Sequence, residues 1–121
     1  MASALMKSGD VQGKRLLGLK DAKLGTVREL FLDLTAGAVV FVLVEDHGLL
    51  GGSGKFHPVP WAAVRYDEVA DAFMVELAKD DFKDSPSYDR DQLASTSIGW
   101  DEQATRFFSP LSAGRLDKTA S

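Results

Sequence analysis

The run "AVVFVLVED", residues 38 to 46, constrains the fold more than any other stretch. Its β-branched and aromatic residues suit a pleated strand, and it is apolar at both parities. Ala38, Val40, Val42 and Val44 point one way; Val39, Phe41 and Leu43 point the other. Such a strand cannot leave one face wet, so both faces must be covered. If one face fills a small barrel, the other needs a helix, the C-terminal segment or a second subunit. Phe41 is the expected anchor of a subunit contact, with Phe31, Val39 and Leu43 beside it, because Val40 and Val42 suit a narrow interior. The expected assembly is a symmetric homodimer.

Around this strand, residues 14 to 77 read as short β-rich runs cut by turn residues, the spacing of a small all-β sandwich or barrel. "KRLLGL" is the first run. "KDAKLG" turns the chain into "TVRELFLDL", a long strand paired with residues 38 to 46. In the connecting "DLTAGAVV", Asp33 or Thr35 is expected to bond nearby amides while Gly37 takes a positive φ. The prolines of "KFHPVPWAAVRYD" suit a sheet edge, and Trp61 to Val64 suits one helical turn. "AFMVEL" is the last strand, with Phe73, Val75 and Leu77 on one face.

From residue 78 the pattern changes to an acid-rich stretch with isolated large apolar residues, which is expected to fold back onto the barrel. Asp80 or Asp81 is a candidate cap for a short helix before Pro86, and Asp101 with Glu102 for a second that brings Phe107 or Phe108 to the body. The expected organisation is a flexible N-terminus at 1–7, one barrel domain with its extension at 8–108, and a mobile tail at 109–121.

The chain's 121 residues suffice for one domain with a real core. A formal net charge of -4 offers no broad cationic field, which disfavours direct nucleic-acid binding. The absence of cysteine excludes disulfides, thiolate catalysis and cysteine-based metal centres. No stretch approaches the roughly 20 apolar residues of a spanning helix, and "MASALMKSGD" lacks the apolar core of a signal peptide. The expectation is a cytoplasmic protein without membrane insertion.

"GLLGGSGKF", residues 48 to 56, resembles a phosphate loop only superficially. A G-x-x-x-x-G-K-[ST] motif read back from Gly54-Lys55 needs glycine where Leu49 stands and a hydroxyl where Phe56 stands. The following His57-Pro58-Val59-Pro60 favours extended chain, not the helix such a loop opens, so this is read as a hairpin loop. His47 and His57, with Asp46 and Glu45 nearby, are candidates for proton handling or a ligand but lack a metal-site spacing. Ser53 and His57 can be combined with an acid, yet no G-x-S-x-G elbow is present. The acid-rich stretch from 78 to 91 lacks the calcium-loop pattern. Trp61, Tyr66, Tyr88 and Trp100 are read as packing residues. The expectation is a protein with no catalytic residues, metal or cofactor.

Together, "SGDVQGKRLLG", "KLGTVRELFLD", "FVLVE", "KFHPVPWAAVRYD", "VEL" and "DSPSYDRD" resemble the PRC-barrel family, named for the H subunit of the photosynthetic reaction centre, from about Ser8 to Trp100. The Gly25 turn, the Pro58 to Trp61 corner followed by Tyr66-Asp67, and Pro86 to Asp89 are its most specific parts. The resemblance implies an all-β fold: a small SH3-like barrel of five or six strands with a short helical C-terminal segment. Family members occur as the reaction-centre domain, as the C-terminal domain of a ribosome-maturation factor and as small stand-alone bacterial or archaeal proteins; this sequence looks like the third. The resemblance implies docking or scaffolding with itself or another protein, not catalysis. An accessory role in a membrane-bound photosynthetic or electron-transfer complex, or ligand binding or catalysis at the 47 to 57 loop, are the alternatives.

Overall fold

The computed structural model describes residues 5–48, 51–94 and 99–120, the backbone alone at 47–48, 51–53 and 112–120. A helical turn, α1 (Ser8–Val11), precedes the short strand β1 (Arg15–Leu17), and two eleven-residue strands, β2 (Lys23–Asp33) and β3 (Ala38–Gly48), form the central hairpin. The hairpin turn is held as its sequence requires. Asp33 Oδ1 accepts from the amides of Thr35 and Ala36 at 3.0 and 3.1 Å, and Gly37 adopts φ 69°. β4 (Gly51–Pro60) follows; a 3-10 turn at Trp61–Ala63 leads to β5 (Arg65–Asp67) and β6 (Ala72–Met74).

The six strands make one mixed sheet in the order β4-β3-β2-β1-β6-β5, with β1 and β6 parallel and the other pairs antiparallel. The sheet is open: β4 and β5 are its edges. The expectation of a sheet closed on itself is corrected to this extent, because β4 is protected by a cover. The Phe56 amide donates to the Tyr88 carbonyl and the Tyr88 amide to the Phe56 carbonyl, both at 2.9 Å, satisfying edge groups that would otherwise template another strand.

The residues from 78 onward supply that cover. They form α2 (Lys79–Lys83), α3 (Arg90–Leu93) and α4 (Trp100–Ala120). Asp80 and Asp81 lie in the first turn of α2 and do not cap it; Ala78 is its N-cap. The cap by side chain occurs at α3, where Asp89 and Gln92 form a reciprocal capping box. Asp101 and Glu102 occupy the first turn of α4, where acidic side chains favour the helix dipole, and Phe108 is fully buried. α4 contains Pro110 and runs through the boundary expected at residue 109, with Leu111 packed on the core; the side chains of 112–121 lie outside the described residues.

The inner face of the sheet carries Val27, Val42, Val44 and Val59, all fully buried, with Phe73, and Phe82 of α2 and Phe108 of α4 pack against them. A second cluster lies on the opposite face of the β2–β3 hairpin, where Phe41, Leu43, Phe56, Tyr88 and Trp100 pack together and Phe31 joins them.

Two irregularities explain which residue goes where. The β2–β3 register shifts between Val27 and Glu29 and again between Phe31 and Leu32, so that Phe31 opposes Phe41 but Leu32 opposes Val39. Each bulge flips the alternation. Beyond the second, Val39 leaves the face of Phe41 and Val40 is 39% exposed. Gly25 sits within β2, not in a turn, because a Cβ there would lie 2.4 Å from the Glu45 carbonyl oxygen of the neighbouring strand.

Candidate functional site

The face expected to meet a second subunit is already occupied by the chain itself. Phe41 is 6% exposed and Leu43 1%, and the Trp100 ring lies 5.2 Å from that of Phe41 and 4.9 Å from that of Phe31. The placement of Phe41 and Leu43 at an open interface is therefore corrected. Trp100 at the start of α4 and Tyr88 ahead of α3 cover that face, each burying enough area to make up for the sparse apolar pattern around them. Phe31 is half-buried beneath the same ring. Trp100 Nε1 has no hydrogen-bond partner among the described residues.

Val39, by contrast, lines a groove of about 340 Å³ on the other side of the hairpin. Leu30 and Leu32 of β2 flank it there. The N-terminal segment supplies Leu5, Met6 and Val11 as a second wall, and Trp61, Tyr66 and Phe73 make the third. Phe73 is the hub of that wall, with its ring centroid 5.9 Å from Trp61 and 5.4 Å from Tyr66. No lining residue carries a charge; Ser8, the Tyr66 hydroxyl and the Trp61 indole N–H are its polar side-chain groups. That hydroxyl donates to Asp71 Oδ1 at 2.5 Å, and Asp71 is also bonded by Lys14 at 2.7 Å. The Asp71 bond pushes the Tyr66 phenol up to about 12. Leu5, Leu32 and Trp61 are exposed at the rim.

The histidine candidates separate. The side chain of His47 lies outside the described residues, as do Leu49 and the side chain of Ser53. His57, on β4 opposite Val44, is 2% exposed. Its ring lies 4.5 Å from that of Phe82, its Nδ1 stands 2.7 Å from Ser85 Oγ and its Nε2 3.7 Å from Asp46 Oδ2. Asp46 and His57 thus do meet, through the β3–β4 pairing that their sequence separation allows.

Ser85 was not legible as their partner, since 28 residues separate it from His57 and no local motif marks it. The trio has the composition of a catalytic triad, with Ser85 beside Nδ1 and Asp46 beside Nε2 of the ring. Ser85 Oγ donates to the Phe82 carbonyl at 2.6 Å, so its one proton is committed and it accepts from His57 Nδ1–H. The hydroxyl is also buried in a residue only 4% exposed. Burial lowers the His57 pKa below its ordinary 6.5 although the Asp46 carboxylate pulls it upward.

Lys55 follows Gly54 in β4, a strand rather than the mouth of a helix, which removes the structural context of a phosphate loop. The described residues contain no group of three or more metal-ligating side chains and no helix long and apolar enough to cross a membrane.

No curated protein matches the chain. The sequence model of the PRC-barrel domain matches residues 5–82, which takes in all six strands and the residue pair Asp46 and His57 but stops short of the Ser85 to Trp100 cover. That match spans well over half of the sequence, and the chain belongs to the PRC-barrel domain family.

Proposed function

We propose that this PRC-barrel protein is a non-enzymatic interaction module that pairs with a second copy of itself through the groove beside Val39, and that its curled sheet serves as a small SH3-like scaffold. The observation that carries this reading is the uncharged, aromatic-walled groove with Leu5, Leu32 and Trp61 exposed at its rim. Apolar surface of this kind gains free energy when it leaves water, and aromatic rings at the centre of a contact are its usual anchors. The interface moves accordingly from Phe41 and Leu43 to Val39 and its neighbours.

A non-catalytic role is supported by the His57 cluster, whose serine has already given its proton to a backbone carbonyl. Light scattering on the intact protein and on Leu32→Asp tests the reading. A dimeric parent and a folded, monomeric Leu32→Asp are expected, with Val69→Asp, at a position 98% exposed, remaining dimeric. A monomeric parent, or a Leu32→Asp variant that stays dimeric, overturns it.

A further inference from the structure

We infer that Asp46, His57 and Ser85 form a proton-operated latch that holds the 82–88 segment on β4 when the ring is neutral and loosens it when the ring takes up a proton. The proton positions follow from distances. If Ser85 donated to His57 instead, Ser85 Oγ and the Phe82 carbonyl oxygen would be two bare acceptors at 2.6 Å. With the proton on His57 Nδ1, the unfavourable contact is Nε2 facing Asp46 Oδ2 at 3.7 Å, a far weaker repulsion. The neutral ring therefore carries its proton on Nδ1, and Nε2 is the vacant position.

What surrounds the ring decides the consequence of filling it. β3 presents Asp46, which is partly exposed, and the remaining neighbours are neutral: the Phe82 ring of α2, the Ser85 hydroxyl and the Pro86 backbone. The charges of α2 and its flanks, Lys79, Asp80, Asp81, Lys83 and Asp84, are on the solvent side, and Glu45 of β3 is engaged by Arg28 at 2.9 Å. One half-solvated carboxylate at 3.7 Å does not offset the cost of burying an imidazolium against Phe82. The structure relieves that cost by letting the 82–88 segment lift and water reach the ring, which breaks the His57–Ser85 contact, the ring's bonds to the Ser85 and Pro86 backbone and the reciprocal Phe56–Tyr88 pair, and loosens Phe82 and Tyr88 in their two clusters.

Amide hydrogen exchange on the intact protein, corrected for intrinsic rates, reads the latch at about pH 7.5 and about pH 5. The Phe56 and Tyr88 amides report on the segment, and the Val75 amide, bonded to the Leu17 carbonyl at 2.9 Å, reports on the rest of the sheet. The expected result is a several-fold loss of protection at Phe56 and Tyr88 in acid beyond any loss at Val75. His57→Asn, which keeps a donor near the Nδ1 position, is expected to abolish that difference. Asp46→Asn, which removes the attraction for the proton, is expected to enlarge it. Equal losses at all three amides, persistence of the difference in His57→Asn, or an Asp46→Asn response no larger than the parent's overturns the latch. If His57→Asn fails to fold, Asp46→Asn decides, together with the ring nitrogen shifts of the parent: a neutral His57 protonated on Nε2 overturns the proton assignment.

Discussion

Phe41 and Trp100 meet edge to face with their ring centroids 5.2 Å apart, 59 positions apart in the chain, and this contact closes the face of β3 that its sequence leaves apolar. Phe41→Asp is accordingly expected to unfold the protein, and Phe41→Ala to cost about 3–5 kcal/mol, since truncating a buried phenylalanine loses its transfer energy and leaves a cavity. Chemical denaturation followed by circular dichroism checks both. A folded Phe41→Asp would mean that the α4 cover is dispensable.

The backbone approach at Gly25 gives a second expectation. A Cβ there meets the Glu45 carbonyl oxygen at 2.4 Å and Val44 Cγ1 at 2.7 Å, and the main chain cannot yield without shifting the β2–β3 ladder. Gly25→Ala is expected to destabilise by about 2 kcal/mol or more in urea titrations. Gly9→Ala, in α1 with nothing within 4 Å of the added atom, is expected to be neutral or stabilising.

The His57 ring sets a pH dependence whose sign follows from its surroundings. Its folded-state pKa lies below 6.5, so below that pH the unfolded chain binds a proton that the folded chain refuses. Stability is full above the unfolded value and falls as pH drops from about 6.5 toward the folded value. Thermal melts across that window are expected to show the decline in the parent and a flatter profile in His57→Asn.

Both tyrosines are shifted upward, Tyr66 to about 12 through its bond to Asp71 and Tyr88 by desolvation. Ultraviolet titration of the folded protein is expected to show no phenol ionising near 10. Asp71→Asn is expected to lower one of the two, and an unchanged curve would mean that the Tyr66–Asp71 bond does not persist in solution.

How far the chain could be read from its sequence follows the range of the forces involved. The β2–β3 turn was legible because Asp33 and Gly37 act locally, and the need to cover both faces of β3 was legible from apolar residues at each parity. That the C-terminal stretch folds back, with Trp100 as a packing residue, was legible too, but that its ring closes the face of Phe41 was not, because it comes from a distant, polar stretch without periodicity. The place of Val39 was lost to the bulge at Val40, an extra residue that leaves no mark in an unbroken apolar run. His57 and Asp46 were within reach as candidates through strand pairing, whereas Ser85 joins them only through tertiary folding.

Self-association through the groove is the central claim, and isotope-filtered NMR on an equal mixture of labelled and unlabelled protein tests it most directly. Intermolecular contacts between the Trp61 indole of one protomer and the Leu32 and Val39 methyls of its partner are the result this account predicts. A dimer whose intermolecular contacts fall elsewhere, or a protein that shows none at the highest attainable concentration, would contradict it.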